Sequence, residues 1–205
     1  TALRQLVDQA RNCSVCPRMA GRGGALRFVG PRARRPVMFV AEAPGRLGAA
    51  RTGLPLHGDA TGRNFEWLLD EVGWTRADVW VTNAVLCWPE GEGGVNDRPS
   101  REEIDACGGF LRRQLEIVDP LVVAPLGLVA LEALGRLAPV ERGPMSALAS
   151  KAQKWEGRLL MPLFHPSPRV TNTRRSLELQ VNDMLALRAL VDRQVALGLE
   201  GTVAH

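Results

Sequence analysis

Four cysteines occur in this chain of 205 residues, as a Cys13-Ser14-Val15-Cys16 pair near the N-terminus and two singles, Cys87 and Cys107. A CxxC pair with two distant thiols can enclose one metal centre and tie the start of the chain to a segment far downstream. Four thiolates suit tetrahedral zinc or a four-iron cluster, since both accept soft sulfur ligands. A zinc ribbon brings two CxxC knuckles and this chain has one, which favours iron–sulfur over zinc. Two disulfides would require an oxidising compartment. Residues 1–11 are polar and amphipathic, without the apolar stretch of an export signal, so the expected location is cytoplasmic and the thiols are expected to be reduced.

The remaining chemistry-bearing residues follow short apolar runs, and those runs must position them. Residues 36–40, 79–82, 121–124 and 159–164 read as buried strands. Helical spacing covers residues 62–72, 127–134 and 175–197, and residues 2–11 form a short helix before the cysteine pair. Ser100-Arg101-Glu102-Glu103 is a capping box that opens a helix to about Val118. Strands alternating with helices predict an α/β fold, a three-layer α/β/α sandwich around a four-stranded, mainly parallel sheet. In such a sheet the ligand lies outside the carboxyl ends of the strands. Ala41-Glu42-Ala43-Pro44-Gly45, Asn83, Leu126-Gly127 and His165-Pro166-Ser167 all fall at those ends, which implies one crevice.

Composition narrows the class. A hydrophobic fraction of 45% and a charged fraction of 23% are those of a globular domain, and no apolar run reaches membrane-spanning length. Residues 1–197 are expected to form one domain carrying the N-terminal cysteine knuckle, with 198–205 a flexible tail. The net charge of +4 favours an anionic partner. No phosphate-binding glycine motif of the G-x-x-x-x-G-K-[ST] or G-x-G-x-x-G kind is present, which disfavours a nucleotide-binding protein.

Seven segments, taken in order, resemble the thermophile-type uracil-DNA glycosylases, families 4 and 5 of that superfamily. Cys13-x-x-Cys16-Pro17-Arg18 resembles their cluster knuckle, and Ala41-Glu42-Ala43-Pro44-Gly45 is similar to the first motif of family 4. Arg51-Thr52-Gly53-x-Pro55-x-x-Gly58-Asp59-x-Thr61-Gly62 is closer to family 5. Thr82-Asn83-Ala84-Val85-x-Cys87 and Pro99-x-x-x-Glu103-Ile104-x-x-Cys107 fit both. His165-Pro166-Ser167-Pro168-Arg169 and Asn172-Thr173-x-Arg175 again resemble family 5. The chain departs from the pattern at Ala41, which replaces a glycine, and at Leu56, where an aromatic usually stacks on the base. It departs also at Val170, where family 5 has asparagine.

The resemblance implies a monomeric DNA-repair enzyme that flips uracil out of single- or double-stranded DNA and hydrolyses its N-glycosidic bond. It implies one [4Fe–4S] cluster on Cys13, Cys16, Cys87 and Cys107, structural in role. It also implies a uracil pocket built from Ala41, Glu42, Ala43, Gly45, Leu56, Asn83 and His165. Each role has a physical reason. An amide carries both donor and acceptor, so Asn83 can accept from uracil N3–H and donate to O4, and so reject cytosine. His165 can stabilise negative charge developing on the departing base. A carboxylate must orient the attacking water, and Glu42 and Asp59 both qualify. Glu42 ranks first, because Asp59 can also cap the helix that follows it. The loop carrying Pro166, Ser167, Arg169, Asn172, Arg174 and Arg175 is expected to contact DNA, together with a basic cluster at Arg32, Arg34 and Arg35. Only two lysines occur, Lys151 and Lys154, both outside these motifs, so cleavage is expected to be monofunctional. The rival class is an iron–sulfur electron carrier or redox sensor, which would use the same cysteines and leave Asn83 and His165 without a task.

Overall fold

The computed structural model describes residues 2–19 and 36–202. Three apolar segments form the centre of the sheet: β1 (Val37–Ala41), β2 (Trp80–Asn83) and β3 (Val122–Pro125), with every residue of each buried. Strands covered on both faces lose the polar alternation of a half-exposed strand, which is why these segments read as continuous apolar runs. β1 pairs in parallel with β2 and with β3, and Ala41 lies opposite Asn83. Beyond β3 lies β5 (Arg158–Leu160), parallel to it, and beyond that β4 (Gln153–Trp155), antiparallel to β5.

The sheet therefore has five strands, in the order β2-β1-β3-β5-β4, not the four that the apolar runs predict. The extra strand is an edge hairpin. Gln153 and Lys154 are too polar to read as a buried strand, and Glu156 (φ 45°) and Gly157 (φ 77°) form the tight turn that folds β4 back on β5. Paired left-handed residues are the geometry that suits the twist of a two-residue hairpin. β5 is also shorter than the apolar run at 159–164. Pro162 has no N–H to offer the ladder. The chain nevertheless stays beside β3, since the amides of Met161 and Leu163 donate to the carbonyls of Val123 and Pro125, each at 2.9 Å.

Alternate strand residues point to opposite faces, and each face acquires its own core. Met38, Val40, Trp80, Val123 and Leu160 pack with α1 (Ala2–Arg11), α4 (Arg101–Val118) and α5 (Leu128–Leu137). Val37, Phe39, Ala41, Val81 and Val122 pack with α3 (Ala60–Glu71) and the long C-terminal helix (Leu177–Thr202). These are the three layers expected. Phe39 meets Phe65 edge to face with ring centres 5.2 Å apart, and such a pair contributes roughly 0.5–1.5 kcal/mol beyond its buried area. Trp80 satisfies its indole inside the core, donating to Gln114 Oε1 at 3.1 Å.

Helix α4 begins at the capping box read in the sequence. The Glu103 amide donates to Ser100 Oγ at 3.2 Å and the Ser100 amide donates to Glu103 Oε2 at 2.7 Å. Three one-turn helices were not expected: α2 (Ala49–Thr52), α6 (Met145–Leu148) and α7 (Pro168–Thr171). The C-terminal helix is α8 in this numbering. The basic cluster Arg32, Arg34 and Arg35 falls outside the described residues. No helix among the described residues is long and apolar enough to cross a membrane.

Candidate active site and cysteine centre

The carboxyl ends of β1 and β3 open onto a cleft of about 600 Å³, within the size range of small-molecule sites. Glu42, Ala43, Gly45, Leu56, Asp59 and His165 line it, and so do Ser167, Arg169 and Arg174 from the segment after β5. Sequence-distant motifs thus meet on one rim. Ala41 is completely buried within β1 and lies behind the lining. Asn83 ends β2 beside it with 1% of its surface exposed, and its Nδ2 has no hydrogen-bond partner among the described residues. Thr82 Oγ1 is in the same state. Buried amide donors are almost always paired, so Asn83 Nδ2 is a donor open to a partner from outside the described residues.

Glu42 follows β1 directly, where the Val85 amide fixes its carbonyl at 3.1 Å. Burial raises its carboxyl above the ordinary range, while the nearby Arg98 and Arg169 oppose the rise. His165 is pushed down to about 4 by burial, with Asp59 opposing, so its imidazole is neutral at pH 7. A neutral ring there offers one N–H and carries no charge. Asp59 lines the cleft and is also the helix cap foreseen for it. Oδ1 accepts from the Gly62 amide at 2.9 Å and so caps α3, while Oδ2 packs so close to Gly48 that a Cβ there would lie 2.4 Å away. Its carboxylate is wedged between the helix and the Gly45–Gly48 turn.

Leu56 forms part of the cleft wall from a left-handed backbone conformation (φ 49°), a costly arrangement for a branched side chain. Arg76 holds it there, donating to the carbonyls of Pro55 (2.9 Å) and Leu56 and pairing with Glu66. The aromatic expected at this position is absent, but Phe164 lines the same cleft directly before His165. The sequence reading placed Phe164 inside a buried strand. Its adjacency to His165 at the end of that run was the available signal.

Not every expected DNA contact faces the cleft. Arg175 turns away from it: Nη2 meets Asp183 Oδ1 at 2.7 Å, Nε meets Oδ2 at 3.0 Å, and the guanidinium lies 5.9 Å from the Phe164 ring. Asp183 also accepts from Ser150 Oγ at 2.5 Å. Arg175 therefore anchors the loop to α8 and is not among the residues that line the cleft. Pro166 presents its carbonyl to Asn64 Nδ2 at 2.8 Å, and Asn172 is exposed at the end of α7. The structure adds residues that the sequence reading missed. Asn96, Asp97 and Arg98, which belong to none of the motifs named above, line the cleft. Asn96 Oδ1 accepts from the Arg46 amide at 2.8 Å and from the Trp88 indole at 3.0 Å, which fastens the segment to the Gly45–Gly48 turn.

The four cysteines line a second hollow with Val15, Met19, Val85 and Phe110. All are free thiols, and the Leu86 amide donates to Cys107 Sγ at 3.4 Å. Burial pushes Cys107 up to about 12 and Cys87 up to about 11, and the neighbouring cysteines add to both. A metal bound here would displace these protons, since cysteine ligates as the thiolate. Among the described residues no three Cys, His, Asp or Glu side chains converge closely enough for a single ion. Four sulfurs around one hollow are a donor set that soft metal centres take, zinc and iron–sulfur alike.

Comparison with known proteins agrees with this geometry. The family model described as "Uracil DNA glycosylase superfamily" matches residues 28–187. The chain is 34% identical over 178 residues to a type-4 uracil-DNA glycosylase of Thermotoga maritima, with 84% of each chain covered. It is 36% identical over 135 residues to a type-4 uracil-DNA glycosylase of Pyrobaculum aerophilum, covering 66% of this chain and 65% of that one. It is 29% identical over 205 residues to the type-5 uracil-DNA glycosylase of the same organism, covering 82% and 84%. A cleft at the strand ends, the motifs that line it and the extent of these matches together place the chain in the uracil-DNA glycosylase superfamily, among relatives of types 4 and 5.

Proposed function

We propose that this protein excises uracil from DNA by hydrolysing the N-glycosidic bond, the first step of base excision repair. The observation that carries this reading is the unpaired Asn83 amide at the end of β2, beside a cleft whose rim presents Glu42, Asp59 and His165. The target nucleotide leaves the duplex stack and enters the cleft, at a cost least for a mismatched base. Asn83 donates Nδ2–H to uracil O4 and accepts from N3–H. Cytosine presents the reverse pattern and leaves the amide unsatisfied, which discriminates more strongly than a lost contact alone.

The C1′–N1 bond breaks with its electron pair leaving on the base. The neutral imidazole of His165 donates a hydrogen bond to the uracil anion without having to give up a charge. Water attacks C1′ and its proton passes to a carboxylate. Glu42 is the better base, because its carboxyl is raised by burial while both oxygens of Asp59 are confined by the α3 cap and the Gly45–Gly48 turn. No lysine lies among the cleft residues to form a Schiff base, so the strand is left intact at an abasic site. Arg169 and Arg174 hold the strand by its phosphates. Phe164 supplies an aromatic face where Leu56 does not.

Cys13, Cys16, Cys87 and Cys107 would hold a [4Fe–4S] cluster, which when bound cross-links the knuckle to the segment before α4. A reducing compartment, the cytosol, keeps these residues available as ligands. The enzyme acts as a monomer of one domain on single- or double-stranded DNA. Release of free uracil from a labelled duplex tests the proposal, and no release from either single- or double-stranded substrate would refute it.

A further inference from the structure

One arginine on the cleft wall is built unlike the others. The backbone of Arg98 is clamped on both sides: its amide donates to Asp97 Oδ1 at 2.7 Å and its carbonyl accepts from Arg18 Nη2 at 3.0 Å. Arg18 is itself fixed by Glu103 Oε1 at 2.6 Å, Glu103 Oε2 at 2.7 Å and Asp97 Oδ2 at 2.7 Å. The side chain of Arg98 is the opposite case. It is 62% exposed and meets Glu132 Oε2 of α5 through one contact of 3.0 Å. Exposed pairs of this kind contribute little to stability. Glu132 does not depend on the pair, because Arg136 and Arg101 approach the same carboxylate at 3.6 and 3.8 Å. A cation fixed at its root and loosely paired at its head is readily traded to another anion.

Its position says which anion. Arg98 lines the cleft with Arg169 and Arg174, and both Arg98 and Arg169 act on Glu42. Three cations therefore surround the opening through which a flipped nucleotide must pass. We infer that Arg98 is a phosphate contact for the DNA strand entering the cleft, released from Glu132 as the strand binds. The inference rests on the DNA-glycosylase reading above. It makes the segment between Cys87 and Cys107 part of the DNA-binding face, alongside the loop after β5.

Neutralising one phosphate releases condensed counterions, so the salt dependence of binding counts such contacts. The test is to measure binding of a uracil-containing duplex and an undamaged duplex of equal length against salt, for the intact protein and three variants. Arg98→Gln is expected to reduce the slope of log K against log [salt] by about 0.9 and to weaken both duplexes by the same factor. Arg98→Lys keeps the charge and is expected to keep the slope. Glu132→Gln frees Arg98 and is expected to tighten binding several-fold at low salt, whereas a pair that merely braces the fold would give weaker binding. An unchanged slope in Arg98→Gln, or a loss confined to the uracil-containing duplex, overturns the inference. Uracil release by the parent protein is followed on the same duplex. No release together with the expected slope change refutes the glycosylase reading alone, and release with an unchanged slope refutes the phosphate contact alone.

Discussion

The cysteine hollow and the cleft share one segment of chain and are built to opposite rules. Around the cysteines the polar groups are satisfied: Arg18 spreads over Glu103 and Asp97, Ser100 and Glu103 close a capping box, and the Leu86 amide meets Cys107. At the cleft end of the sheet, Asn83 Nδ2 and Thr82 Oγ1 are buried without partners, Leu56 is held at φ 49°, and burial drives Glu42 and His165 toward their neutral forms. Unpaired donors and left-handed side chains cost a fold stability and persist only where surrounding structure imposes them. The contrast separates a region whose polar groups are paired within the chain from one whose buried groups are not.

If that contrast is right, changes at the two regions should be felt in different measurements. The largest effect is expected at the hollow. Cys107→Ser removes the most buried of the four thiols, and loss of a metal site belongs among the changes costing more than about 4 kcal/mol. For a domain of this size that lowers the thermal midpoint by roughly 10 °C or more. Iron content and a melting curve check this together. A variant that keeps its iron and its melting temperature would break the comparison.

His165→Ala should do the reverse. It is expected to slow single-turnover excision by about 10²–10³-fold, the usual cost of removing one donor to a developing anion, while leaving the iron content intact. Glu42→Gln and Asp59→Asn then sharpen the division within the cleft itself. Glu42→Gln is expected to lower the excision rate by about 10²-fold or more. Asp59→Asn weakens a helix cap and so is expected to cost stability, up to about 1 kcal/mol, with the smaller loss of rate. The opposite ranking under single-turnover conditions would assign the water to Asp59.

The last expected effect is a pH dependence. His165 titrates at about 4 in the folded chain against an ordinary value of 6.5. Between those values the unfolded chain binds more protons, so the contribution of His165 to stability is fully present above pH 6.5 and is lost as pH falls toward 4. In urea unfolding the stability of the parent should fall relative to that of His165→Gln as pH falls through that window. Parallel curves would mean that the imidazole is not buried as described.

Much of the sheet was legible because β1, β2 and β3 are covered on both faces and so are apolar without interruption. The capping box at Ser100 and Glu103 marked the start of α4 for an equally local reason. β4 was not legible. Only Trp155 of its three residues is buried, and its existence depends on the turn at Glu156 and Gly157 together with an open edge beside β5. Arg175 looked like its neighbours Arg169 and Arg174, and only the burial of Asp183, two turns along α8, distinguishes them. A buried carboxylate cannot be left unpaired, so it claims the nearest cation.

The amino-acid sequence determined which chemistry was available: four thiols in a single-knuckle pattern, an amide, an imidazole and a carboxylate at the ends of apolar runs, and a second carboxylate ahead of a helix. Side-chain type and local periodicity are carried by near neighbours, so they survive in one dimension. Tertiary structure alone decided which of these groups is left unpaired, which carboxylate is confined and which arginine faces the opening. Those properties depend on pairs far apart in the chain, such as Ala41 with Asn83, Arg18 with Glu103 and Ser150 with Asp183. Burial and pairing are set by what the fold brings into contact, and no local stretch of sequence contains that information.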